Sequence, residues 1–221
     1  MRSILKKLLS PILKKANEIY ISKPRKYSYK NVSVVVVPTV FPPFLTISTK
    51  LLLKFIETQT LKDKRFLELG CGCGIISILA AKKGAVVTAS DINQTAIDAL
   101  LENALNNEVS VDAIFSDLFK NLKEKRFDII IINPPYYPKN PTTIAESAWY
   151  CGSDFEYFVK LFSQLPSHMT LHTDVFMILS EDCELDKITE FAKSHKIRFQ
   201  MQTTHKVAGE QNYIFKLLFA G

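Results

Sequence analysis

Asn133-Pro134-Pro135-Tyr136 ends an uninterrupted aliphatic run, Ile129 to Ile132. The asparagine side chain and the Pro134 carbonyl are two acceptors that can hold both N–H bonds of a planar NH2 group. Such a grip draws electron density onto the nitrogen and aims its lone pair, so it favours attack on an electrophile by positioning and by dipoles. Two prolines stiffen the loop that carries the acceptors. Tyr136 offers a ring to stack on the flat face of an amide or a base. A proline-rich loop after a strand is common; asparagine at the strand end, two prolines and an aromatic form a much rarer order.

Upstream, Phe66-Leu67-Glu68-Leu69 runs into Gly70-Cys71-Gly72-Cys73-Gly74. A phosphate-binding P-loop would close with Gly-Lys-Ser/Thr, but Gly74 is followed by Ile75-Ile76. A dinucleotide fingerprint needs glycine where Ile75 or Ser77 stands. The turn holds no basic residue for a pyrophosphate, and the acid Glu68 before it suits a cationic ligand better. Asp91 lies about twenty residues past the first glycine, where a carboxylate can accept from both hydroxyls of a ribose. Ser116-Asp117-Leu118 follows the next strand and would reach an adenine, with Asp117 accepting from its amino group.

A nucleoside without phosphates and with a positive group describes S-adenosylmethionine. The expected cofactor-binding set is Glu68, Gly70, Cys71, Gly72, Gly74, Asp91, Ile92, Asp117, Leu118 and Asn133. The expected catalytic set is Asn133, Pro134, Pro135 and Tyr136. Asp91 or Asp117 alone reads equally as a helix cap, and a glycine turn alone as a tight corner. The order of acid, G-x-G-x-G and two strand-end aspartates on successive strands is what points to a ligand.

Alternating strands and helices must position these groups. Strands are expected over 32–37, 65–69, 86–90, 111–115, 127–132, 174–179, 197–204 and 212–219, from their β-branched and apolar runs. Helices are expected from Ser48 or Thr49 to Glu57, over 75–83 stopped by Gly84, over 94–106 capped by Asn93, over about 153–165 with a Ser153/Glu156 capping box, and over 185–195. Paired prolines make 40–44 an irregular apolar loop, and Phe41 in it is expected to cover the site. The four isoleucines before Asn133 read as a strand buried on both faces. The short link before the last strand forces an antiparallel pair. The fold class is therefore α/β: a doubly wound, seven-stranded, mostly parallel sheet with a C-terminal antiparallel hairpin.

The chain has 221 residues, with 47% apolar and 23% charged residues, which suits one globular domain. No apolar run reaches the roughly eighteen residues of a membrane span. Lys6, Lys7, Lys14 and Lys15 interrupt the N-terminal apolar stretch, so a cytoplasmic protein is expected. Cys71, Cys73, Cys151 and Cys183 lack the second pair or histidine of a zinc site and are expected to be reduced, with no metal. Residues 1–30 hold nine Lys or Arg and one acid, against +6 for the whole chain, so the basic character belongs to this leader. Its apolar positions fall at helical spacing, broken at Ser10-Pro11, and Lys23 to Asn31 reads as an exposed basic linker. The expected division is an N-terminal extension over 1–30 and a catalytic domain over 31–221.

Leu67 to Asn93 followed by Phe127 to Tyr137 resembles class I methyltransferases of the "methyltransferase small domain" group, and within it the HemK-type N5-glutamine methyltransferases. The likeness covers roughly residues 40 to 180 and extends to Glu146-Ser147-Ala148-Trp149-Tyr150-Cys151-Gly152. Cys151 stands where that family usually shows glycine, and the lysine-rich leader is not a family feature. The resemblance implies that Asn133, Pro134, Pro135 and Tyr136 hold a glutamine amide, and that Glu68, Gly70, Asp91 and Asp117 hold the cofactor. The alternative acceptor is RNA, rRNA or tRNA, at adenine N6 or guanine N2, because an exocyclic amine presents the same planar NH2. The basic leader would then contact RNA. Membrane-surface binding by the leader and a catalytically dead binding module are weaker alternatives. Oligomeric state is not readable from these residues.

Overall fold

A computed structural model describes residues 20–123, 125–207 and 209–219. The amphipathic leader helix and its Ser10-Pro11 break lie outside the described residues. The chain forms β1 (Arg25–Tyr29), β2 (Val32–Val36), α1 (Ile47–Thr58), β3 (Arg65–Leu69), α2 (Ile75–Lys82), β4 (Val86–Asp91) and α3 (Gln94–Asn106). It continues through β5 (Asp112–Phe115), β6 (Ile129–Ile132), α4 (Glu156–Gln164), β7 (Asp174–Ser180), α5 (Leu185–Ser194), β8 (Ile197–Val207) and β9 (Glu210–Phe219).

The seven-stranded sheet has the order β5-β4-β3-β6-β7-β9-β8. Its first five strands are parallel, and β9 runs antiparallel to both β7 and β8. This is the doubly wound sheet with a C-terminal hairpin that the sequence predicts. Alternation along the central strands splits the core between its faces. Phe66, Ile129 and Ile131 pack with α1, α2 and α3, while Leu67, Leu69, Ile130 and Ile132 pack with α4 and α5. The chain winds outward from β3 to β5 and returns to β6 on the other side of β3. A crevice opens at that reversal, beyond the carboxyl ends of the strands.

The register at the crevice pairs Leu69 with Ile132. Four consecutive isoleucines cannot choose a register by themselves, since every one of them is apolar. Asp128 supplies the choice. Its carboxylate accepts the Arg65 backbone N–H at 2.8 Å and the Arg65 guanidinium at 2.7 and 3.2 Å. That guanidinium holds the Asp128 carboxyl down at about 2.

Three local expectations are corrected. The segment read as an exposed linker contains β1, paired antiparallel with β2. Tyr27 and Tyr29 alternate with polar residues and pack on the core, and the Tyr29 hydroxyl donates to Glu57 at 2.9 Å. The loop 40–44 is not wholly irregular, because Pro43–Leu45 makes one 3-10 turn with proline at its start, where a missing N–H is harmless. Ser153 does not cap α4. Phe155 occupies the cap position with φ +61°, and Glu156 accepts the Asp154 N–H instead. The Asn93 cap forms as expected, accepting from Thr95 N–H at 3.0 Å. β8 and β9 run longer than expected, to Val207 and from Glu210.

Asn103 of α3 and Asn107, which caps its C-terminus, fasten the hairpin to the body. Asn103, buried, accepts the Val35 N–H at 2.8 Å and donates to the Val35 and Cys73 carbonyls at 3.0 Å. Asn107 does the same for Ser33, at 3.2 and 2.6 Å. One side-chain amide thus joins β2 to the glycine-rich turn. Asn103→Ala leaves three backbone groups unsatisfied and is expected to destabilise the fold by about 3 kcal/mol. Urea denaturation checks this as a lower midpoint at unchanged slope.

Candidate functional site

The turn after β3 needs glycine for two separate reasons. Gly70 takes φ +80°, and a Cβ built on it meets nothing within 4 Å, so its backbone faces open space. Gly74 also has φ +78°, but a Cβ there would stand 2.0 Å from Leu100 Cδ1, so it lets α3 close on the turn. The turn is tied to β4 by the Gly70 and Cys71 N–H groups, which donate to the Ser90 carbonyl at 2.8 and 3.0 Å.

Asp91 stands at the end of β4 with both oxygens engaged by backbone N–H groups. Oδ2 accepts the Gly72 N–H at 2.8 Å and Oδ1 the Asn93 N–H at 2.9 Å. A carboxylate has about four acceptor positions, so the Asn93, Gly72 and Ile92 N–H groups do not exhaust it. Burial raises its pKa, and the Asn93 and Gly72 N–H groups oppose that shift. After β5, the Ser116 N–H donates to the Asp91 carbonyl at 2.9 Å, which sets Asp117 one strand over. Asp117 forms an ion pair with Lys160 of α4.

Glu68 behaves differently from expectation. Its side chain is buried, and Oε2 accepts both the backbone N–H and the hydroxyl of Ser77. It pins the start of α2 to β3. Burial pushes its carboxyl up to about 8, so the negative charge expected before the turn is largely absent at neutral pH. Cys71 and Cys73 are buried free thiols, and burial holds Cys73 up at about 12, far from a thiolate.

Asn133 leaves β6 directly opposite Gly70, because Leu69 and Ile132 are in register. Its side-chain amide has no hydrogen-bond partner among the described residues. Pro134 is buried, and Tyr136 is half-buried with its ring 4.7 Å from that of Tyr137. Burial, then Tyr137, pushes the Tyr136 phenol pKa upward, so it stays neutral.

A cavity of about 430 Å³ joins these pieces, a size suited to a small-molecule ligand. Glu68, Gly70, Cys71, Gly72, Asp91, Ile92, Asp117, Leu118, Asn133, Pro134, Pro135 and Tyr136 all line it. Gly74 is not among the lining residues, and a Cβ on it would point at Leu100 of α3. Phe41 lines the cavity too, with its ring 4.9 Å from that of Trp149, so the 38–46 loop and the 146–152 stretch meet over one side. Sequence reasoning missed Ser90, Tyr157 and Lys160. Ser90 precedes an aspartate without any motif of its own, and the other two lie on a helix whose facing depends on packing.

The residues fit a nucleoside with a cationic substituent better than a phosphorylated one. Asp91 has spare acceptor positions, the turn offers open backbone at Gly70, and Ser90 Oγ is buried in the cavity wall with no partner among the described residues. The side chains shown at the turn include no cation for a phosphate. Among the described residues no helix is long and apolar enough to cross a membrane.

A family model described as the methyltransferase small domain matches residues 31–148. A Methanocaldococcus jannaschii protein named provisionally as a protein N5-glutamine methyltransferase is 49% identical over 78 residues, 35% of this chain and 39% of that protein. A Haemophilus influenzae protein named ribosomal RNA small subunit methyltransferase C is 30% identical over 168 residues, 69% of this chain and 49% of that protein. The chain therefore spans half or less of the length of these curated relatives. Among solved structures, a T. thermophilus 16S rRNA methyltransferase in complex with AdoMet and guanosine matches at a TM-score of 0.60 and 17% identity, over 88% of this chain and 50% of that one. At that identity the likeness concerns the fold.

The raised Glu68 pKa has a definite stability consequence. Between an ordinary value of 4.5 and about 8, the folded chain holds a proton that the unfolded chain has lost. This group therefore lowers stability as pH rises through that window and adds no further loss above it. Glu68→Gln keeps an acceptor for Ser77 without the ionisation. Urea midpoints of the two proteins across pH should show the glutamine variant gaining relative stability from about 4.5 to about 8, then no more.

Proposed function

The chain belongs to the methyltransferase small domain family, and we propose that it transfers a methyl group from S-adenosylmethionine to the side-chain amide of a protein glutamine. One observation carries this reading. The unengaged Asn133 amide and the Asp91 carboxylate line one cavity at the sheet's reversal point.

Bound there, S-adenosylmethionine supplies an electrophilic methyl carbon on a sulfonium. Asp91 accepts from the ribose hydroxyls with its remaining lone pairs, and Asp117 accepts from the adenine amino group beside its ion pair with Lys160. Asn133 Oδ1 and the Pro134 carbonyl accept the two N–H bonds of the acceptor, which aims the nitrogen lone pair toward the cavity. Their dipoles also stabilise the positive charge that develops on that nitrogen. No strong base is needed before transfer, because the methylated nitrogen becomes a strong acid and gives its extra proton to water. Phe41 and Trp149 screen the reacting atoms from solvent.

The choice of a protein amide rests on the jannaschii relative and on local charge. Asp182 and Glu210 are the acids that act on Tyr137, beside the acceptor loop, and they disfavour a polyanion there. A specific observation favours the second reading, RNA methylation at adenine N6 or guanine N2. Nine Lys or Arg against one acid in residues 1–30 would draw a phosphate backbone.

Asn133→Ala is expected to bind S-adenosylmethionine within about twofold of wild type while turnover falls about a hundredfold or more. Calorimetry and a methyl-transfer assay separate the two effects, and retained turnover would refute the acceptor grip. Incubating an extract from a deletion strain with enzyme and radiolabelled donor should place the label in protein. Label in RNA would transfer the assignment to the second reading.

A further inference from the structure

Among the hydroxyl residues that line the cavity, Tyr157 and Ser90 stand beside the strand ends that carry Asp91 and Asp117 without a role so far. Tyr157 sits in the first turn of α4, with its N–H donating to the Cys151 carbonyl at 3.0 Å and its ring edge-on to Phe158. Its side chain lines the cavity, and its hydroxyl has no hydrogen-bond partner among the described residues. Ser90 lies on β4 in register with Leu69, on the face of the sheet that packs against α4. It is 1% exposed, lines the same cavity, and its Oγ is also without a partner among the described residues. Buried polar atoms are nearly always satisfied, so the unsatisfied Ser90 hydroxyl, on a cavity that Tyr157 also lines, points to a polar ligand edge there.

The chemistry of the pocket says which kind of edge. Asp91 and Asp117 are acceptors only, whereas a nucleoside carries ring nitrogens and ribose oxygens that need donors. The N–H groups of Gly70, Cys71, Gly72 and Asn93 are already committed to Ser90 and Asp91. Tyr157 can fill that need. Burial, and then the carboxylates of Asp91 and Asp117, push its pKa above the ordinary phenol value, so it keeps its proton.

We propose that Tyr157 and Ser90 are further binding residues of the methyl-donor pocket, whose hydroxyls hydrogen-bond the nucleoside portion of the ligand. This rests on the donor reading given above. The test is calorimetry of the full chain with S-adenosylhomocysteine and with 5′-methylthioadenosine, which share the nucleoside but differ in the amino-acid tail. Tyr157→Phe and Ser90→Ala are each expected to weaken both ligands by the same factor, about five- to tenfold. Unchanged affinity for both ligands would overturn the proposal. Weakening for S-adenosylhomocysteine alone would overturn it too, by assigning the hydroxyls to the tail. A wild-type chain that binds neither ligand would instead bring down the donor reading itself. The two substitutions lie on different elements, so if one variant melts before titration the other still decides.

Discussion

The site depends on the alignment of β6 against β3. Leu69 opposite Ile132 sets the open turn at Gly70 beside the free amide of Asn133. A slip of one residue would send every side chain of β6 to the other face of the sheet. The isoleucines would tolerate that slip, because both faces there are apolar. The polar contacts at the opposite end of the strand would not. Asp128 grips both the backbone and the guanidinium of Arg65, and the Thr173 hydroxyl donates to the Phe127 carbonyl at 2.8 Å. The geometry of the reactive end is thus set by charge and hydrogen bonds at the strand's entry, where no ligand reaches.

A second set of polar contacts carries order outward from the sheet. Asn103 links the carbonyl of Cys73 to β2, and Asn93 donates to the Thr39 carbonyl at 3.0 Å. The stretch that brings Phe41 over the cavity is held between these two amides. Apolar packing by Val32, Val34 and Val36 supplies adhesion, while the asparagines supply the position. The Tyr20 ring also rests edge-on against Phe44, so the described end of the leader touches this same cover.

Much of this was legible from residue order. Seven strands, their parallel and antiparallel parts, the Asn93 cap and the shared cavity of Asp91, Asp117 and Asn133 follow from apolar runs, turn chemistry and strand ends. What escaped depends on contacts remote along the chain. The alternation of Tyr27 and Tyr29 was hidden among basic residues, because only packing against the core gives those rings an inside. Gly74 shares its spacing with Gly70, yet a Cβ on it would meet Leu100 while one on Gly70 would meet nothing, and spacing cannot tell the two apart. Glu68 reads as a charge in one dimension, whereas burial beside Ser77 makes it a largely neutral tie. Lys160 and Tyr157 enter through the orientation of α4, which starts from Phe155 in a left-handed conformation instead of the expected serine cap.

The position of β9 bears on how the molecule is made. Its strand slots between β7 and β8, although it is synthesised after both. Until residues 210–219 have left the ribosome, β7 presents a bare edge of unpaired backbone groups, and β8 has nothing to pair with. The nucleotide half of the sheet can assemble during translation, but its last inner place is filled only late. Vectorial folding therefore stops short of completion, leaving an interval in which a sticky strand edge must be shielded from other chains.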